Sequence, residues 1–197
     1  ELIRNLENSM EGNPVLFFVP NGAQERAIKA VGSGEYFIVS VNYANGVGKT
    51  ACIMAILANI IFGAQTSAFD FPLFRQYPRR WPRSFRIVTE SELVGDSGPI
   101  QLEIKRWWPK GRYHWSRAGK TYNSFLVTDN GWTGEVMTYN QDIGAFEGTT
   151  RGLNLFIEPP PEQIFNACVA RQRLGGFDIL DVTPLARAAW IKDKIID

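Results

Sequence analysis

Cysteine and histidine are scarce: the 197-residue chain has only Cys52, Cys168 and a single His114. Two cysteines exclude a disulfide scaffold. A structural zinc site takes about four Cys or His ligands, and too few are here. Charge of one sign is also lacking. The formal net charge is +1, so the total carries no nucleic-acid signal. The longest apolar run, 51–62, falls short of the ~20 residues that a membrane span needs, and no membrane partner is expected. Residues 1–13 are polar and lack the apolar stretch of a secretory signal; they are expected to be flexible. What remains is ordinary for a folded globular protein, with 45% hydrophobic and 21% charged residues. The length suits one domain with a sizeable core, and an intracellular protein is the expectation.

Charge is unevenly spread. Between Arg75 and Lys120 stand eleven basic residues against four acids, a net +7. Tyr77, Trp81, Trp107, Trp108, Tyr113 and Trp115 interleave with those bases. Such a surface suits phosphate backbones and stacked bases. The alternative is a solvated face whose aromatics point into the core.

Strands and helices alternate along the chain. Residues 36–42, 85–89, 153–157 and 177–182 are apolar and β-branched runs that read as buried strands. Residues 124–128 and 135–139 flank Asp129-Asn130-Gly131, a hairpin signal. Lys49 to Phe62 reads as an apolar helix stopped by Gly63, with further helices over 98–108 and 161–173. The pattern predicts an α/β fold with a mostly parallel sheet flanked by helices.

The strand ending at Asn42 runs through Tyr43-Ala44-Asn45-Gly46-Val47-Gly48-Lys49-Thr50 into a helix. Strand, glycine loop and helix come in the order of a phosphate-binding P-loop, or Walker A motif. Asn45, Gly46, Val47 and Gly48 form the candidate nucleotide-binding loop, and backbone N–H groups around Gly46 to Lys49 can ring the β-phosphate at the helix N-terminus. Lys49 can reach the β- and γ-phosphates of ATP, and the Thr50 hydroxyl can bind Mg²⁺. The first glycine of the usual pattern is replaced by Tyr43. Some 25 residues before the lysine stands Gln24, where many helicase-like ATPases read adenine. A carboxamide can pair with adenine through two hydrogen bonds. The alternative is an exposed helix residue.

A second acidic strand is needed to position Mg²⁺ and polarise water. The 153–157 run ends at Glu158-Pro159-Pro160-Pro161-Glu162, with Ile157 where the metal-supporting Asp is expected. Glu158 is the candidate catalytic base, or serves the metal through its longer side chain. Thr183, held before Pro184 at the next strand end, suits a sensor that relays the state of the γ-phosphate.

Together these segments resemble the ATPase domain of phage large terminase subunits, the DNA-packaging motors. Gln24, the loop 45–50, Phe146-Glu147-Gly148, Glu158 to Phe165 and Thr183-Pro184-Leu185 carry the resemblance, over roughly residues 14–192. It implies a P-loop NTPase of the additional-strand (ASCE, RecA-like) type and Mg²⁺-dependent ATP hydrolysis. It also implies ring assembly around double-stranded DNA, a portal protein and a small terminase subunit as partners, and the host cytoplasm as location. An arginine finger from a neighbouring subunit, worth ~10³–10⁵ in rate, is implied too. Arg151 is the first candidate, with Arg75, Arg79 and Arg83 as alternatives and a surface ion pair as Arg151's other reading. Full-length terminases add a nuclease domain. Here Asp193 and Asp197 are too few for a two-metal site, so a single ATPase domain without nuclease activity is expected. Two further readings compete: a small-molecule P-loop kinase with a lid over 75–86, and a nucleotide-binding module with little turnover, suggested by Ile157 and Tyr43.

Overall fold

A computed structural model describes residues 1–44, 46–63, 77, 80–90, 95, 98–183 and 189–196. Asn45, Arg75, Arg79 and Pro184-Leu185 lie outside the described residues. The first segment forms a helix, α1 (Leu2–Gly12), with no buried residue. A short 3-10 turn, Pro14–Phe17, leads to α2 (Gly22–Ser33).

Seven strands then build one sheet: β1 (Ile38–Asn42), β2 (Ser84–Thr89), β3 (Tyr113–Ser116), β4 (Phe125–Thr128), β5 (Thr133–Thr138), β6 (Leu153–Ile157) and β7 (Phe177–Val182). Their order is β1-β7-β6-β2-β5-β4-β3. The first five in that order are parallel, and β4 and β3 add antiparallel at the far edge. Parallel strands covered on both faces read as continuous apolar runs, which is why β2, β6 and β7 are buried throughout. The last strand in sequence, β7, is inserted between β1 and β6. That inserted strand is the mark of the additional-strand NTPase architecture expected above.

Helices pack on both faces. One core joins α2, α3 (Lys49–Phe62) and α4 (Pro99–Trp107) to one face of the sheet. Every residue of α3 from Cys52 to Ile61 is buried, as befits an apolar helix enclosed on all sides. Gly63 closes α3 in the left-handed conformation, and Asn130 of the hairpin turn donates to the Ile61 carbonyl at 2.6 Å. The second core lies under α5 (Gly144–Glu147), α6 (Glu162–Val169) and Ile191 of the terminal α7 (Ala189–Ile191).

The interleaved aromatics belong to the core. Trp108 is fully buried and its indole N–H donates to the Met54 carbonyl at 3.1 Å. Trp107 packs edge-on against Phe18; Tyr77, Trp81, Tyr113 and Trp115 pack against the same core. Two of the exposed bases among them face acids: Lys110 pairs with Glu11 at 2.7 Å and Arg112 with Asp129 at 2.8 Å. The base-and-aromatic pattern is therefore a core pattern with a solvated outer face.

Two buried acids lie on β7. Asp178 accepts from Asn154 at 2.8 Å and Gln172 at 2.9 Å, yet burial pushes its carboxyl up to about 7. Its native-state value lies above the unfolded one, so its stabilising contribution is complete below about pH 4 and is lost as pH rises through 7. Asp178→Asn is expected to raise stability at pH 8 by about 1–3 kcal/mol, since each tenfold change in proton affinity is worth ~1.4 kcal/mol, with no gain at pH 4. Urea denaturation at the two pH values measures it, and equal gains at both would contradict the assignment.

Candidate functional site

Three parallel strands end at one edge of the sheet: β1 at Asn42, β6 at Ile157 and β7 at Val182. The carboxyl edge of such strands is where α/β folds place ligands. The loop after β1 turns through Gly46 and Gly48, both in the left-handed region at φ +81° and +74°. Gly48 has a second reason to be glycine, because a Cβ there would stand 2.9 Å from the Gln24 amide nitrogen.

Gln24 sits behind this loop. Its side-chain N–H groups donate to the carbonyls of Val47 and Gly48 at 3.2 and 2.9 Å. Its Oε1 accepts from the Asn21 backbone at 2.9 Å, completing a capping box at the start of α2. The amide expected at an adenine edge is thus engaged with the loop, and it braces the loop's backbone.

Lys49 opens α3 and is buried. Its ammonium donates to the Tyr43 carbonyl and to Thr183 Oγ1, each at 2.9 Å. It also lies 3.4 Å from Asp181 Oδ1. Thr50 Oγ1 donates to Asp181 Oδ2 at 3.2 Å. These contacts bring Lys49, Thr50 and Thr183 together with an acid that the sequence reading does not single out. Burial pushes the Asp181 carboxyl up to about 6, against the pull of Lys49. The signal in the sequence is an acid inside an apolar strand, two residues before Thr183. The motif order directs attention instead to the 153–157 strand, which ends in Glu158.

Glu158 follows β6 at the same edge and is half-buried. Its backbone lies in the left-handed region at φ +67°, a conformation that costs a residue with a Cβ ~1–2 kcal/mol. The hydroxyl of the half-buried Tyr139 clamps it, 2.7 Å from the Glu158 carbonyl and 3.2 Å from those of Val88 and Ile157. The hydroxyl has one proton, which the shortest contact takes. Strain of this kind gathers at functional sites. Glu158→Gly is expected to be more stable than Glu158→Ala by about 1 kcal/mol, since both lose the side chain and only glycine relieves the backbone. Thermal melts of the two variants test this; an alanine variant as stable as the glycine one would deny the strain.

Arg151 lies elsewhere. It precedes β6, at the opposite end of the strand from Glu158, and its guanidinium donates to Glu135 Oε1 at 3.0 Å with 13% of its side chain exposed. The fully buried Arg86 binds the same oxygen at 2.6 Å. Burial alone would raise the Glu135 carboxyl, but the two guanidiniums hold it below its usual value. Within this chain Arg151 is thus held in an internal ion pair with Glu135. Arg83, also before its strand, reaches the Asn130 carbonyl at 3.4 Å.

No family model matches the sequence, and neither does any curated protein. Solved structures do match. The large terminase of a thermophilic bacteriophage superposes with a TM-score of 0.62 at 14% identity, over 91% of this chain and 43% of that one. A second structure of that terminase, in complex with ADP, gives 0.61 at 17% identity, over 91% of this chain and 42% of that one. The chain spans less than half the length of either. By fold, this chain is similar to phage large terminase along 91% of its residues.

Proposed function

We propose that this chain is the ATPase portion of a DNA-packaging motor of the large-terminase type, hydrolysing ATP to drive double-stranded viral DNA into a procapsid. The observation that supports it is the meeting of Lys49, Thr50 and Thr183 at one sheet edge, with Glu158 beside them on the next strand. The ADP complex of the similar phage terminase supports a nucleotide as the ligand.

The loop N–H groups and Lys49 bind phosphate, and Gln24 keeps the loop open toward it. The oxygen donors present suit Mg²⁺, a hard cation that takes few protein ligands and keeps phosphate oxygens and water. Among the described residues no cluster of three or more acids, histidines or cysteines forms a protein cage. Thr50 would hold the ion, which when bound offsets charge on the phosphates. Glu158 accepts a proton from water at the strand edge. Lys49's bond to Thr183 makes the end of β7 sensitive to what the ammonium binds. Ring assembly, a neighbour's arginine, the portal protein and the small subunit belong to the same proposal.

The kinase reading loses ground because Arg86, within its lid segment, is buried in an ion pair. Steady-state ATP hydrolysis with and without double-stranded DNA, over a range of protein concentration, tests the proposal. Turnover that rises with DNA or with self-association is expected. Transfer to a small acceptor without DNA dependence would favour the kinase, and tight binding without turnover the passive module.

A further inference from the structure

We infer that Asp181 on β7 is the carboxylate that positions the Mg²⁺ of a bound nucleotide, in place of position 157 on β6, which lies one strand away at the same level of the sheet. This rests on the nucleotide-site reading above and adds a residue to it.

Position 157, where an acid was expected, holds a buried isoleucine in the apolar core on the α3 face. Ile157 is in register with Asp181, and Asp181 in turn with Val41 on β1. Neighbouring strands lie ~4.8 Å apart, and partners at one level project from the same face. A carboxylate at 181 is therefore one strand nearer the P-loop than one at 157. From there it touches Thr50 directly, at 3.2 Å.

Asp181 is a buried acid whose one ion-pair partner among the described residues is itself a P-loop side chain. It is 2% exposed, within a strand buried throughout, where a carboxylate is costly unless partnered. Its partners are Lys49 and Thr50, the two loop side chains suited to phosphate and metal. Among the described residues, Oδ1 accepts no hydrogen bond; its nearest cation is Lys49 at 3.4 Å. A buried oxygen with spare lone pairs, beside a hydroxyl that binds a hard cation, is the donor set that Mg²⁺ takes from a protein. Thr183, two residues on and on the same face, accepts from Lys49. The metal-facing acid lies near the end of β7 and the coupling threonine just past it, so a shift of that end moves both.

The test is ADP affinity by calorimetry, in Mg²⁺ and in EDTA, for the whole chain, Asp181→Asn and the double variant Ile157→Asp/Asp181→Asn. The readout is the ratio of the affinity in Mg²⁺ to that in EDTA within each variant, which absorbs any change at Lys49, and Asp181→Asn is expected to lower that ratio about 10–100-fold. The double variant, with a carboxylate back at the neighbouring register position, is expected to regain most of it. Far-UV circular dichroism checks each fold. If Asp181→Asn does not fold, Asp181→Glu, whose longer arm displaces the carboxylate, replaces it with a reduced Mg²⁺ gain expected. An undiminished gain in the folded single variant, or none regained by a folded double variant, overturns the inference while leaving the nucleotide site standing. No ADP binding by the unaltered chain in either solution overturns both.

Discussion

Glu158→Gln is expected to bind ATP as tightly as the unaltered chain and to hydrolyse it about 10²–10⁴-fold more slowly, the range a positioned general base contributes. Glutamine keeps the shape and the acceptor oxygen of the side chain but accepts no proton at neutral pH. The change leaves the backbone clamp intact, because Tyr139 bonds the residue's carbonyl rather than its side chain. Loss of rate without loss of binding therefore isolates proton transfer from architecture. Single-turnover hydrolysis beside an equilibrium binding titration separates the two. A rate within twofold of the unaltered chain would remove Glu158 from the chemistry and send the search for a base elsewhere along the same edge.

Lys49→Ala is expected to act earlier, on binding itself. Hydrogen bonds to charged groups contribute ~1.5–3 kcal/mol each, so losing the ammonium's contacts with two phosphates weakens ATP by roughly 10²–10⁴-fold. The substitution also strips a buried carboxylate, Asp181, of its nearest cation. Removing one partner of a buried pair costs the fold ~3–5 kcal/mol. Lys49→Met fills more of the vacated volume and is the better control. Fluorescent-nucleotide titration with a urea melt of each variant distinguishes lost binding from lost fold; ATP affinity unchanged in a folded Lys49→Met would take the phosphate away from this loop.

Much of the architecture was legible because apolar runs stop at glycine or proline. The bounds of α3, β6 and β7 agree with the sequence reading residue for residue. Strand order was not legible, and the miss at Asp181 came from that. The sequence places an acid by its distance along the chain, whereas the site needs it by its level in the sheet. Position 157 and position 181 are neighbours only once β7 has been inserted beside β6. Arg151 and Gln24 show the same limit in side chains. Spacing points to Gln24 and the resemblance to Arg151, but neither the loop carbonyls that hold Gln24 nor the Glu135 carboxylate that holds Arg151 can be read from the sequence. The tryptophans were ambiguous because the same residue type suits a stacked base and a packed helix.

The insertion of β7 also sets an order of events during synthesis. Among the described strands, β1 pairs only with β7, and Lys49 and Thr183 are 134 residues apart in sequence. Contacts this remote form late, because a long loop must close before they stabilise anything. While the chain is still emerging, the glycine loop hangs on a strand with no partner. The nucleotide site is complete only once β7 is paired between β1 and β6.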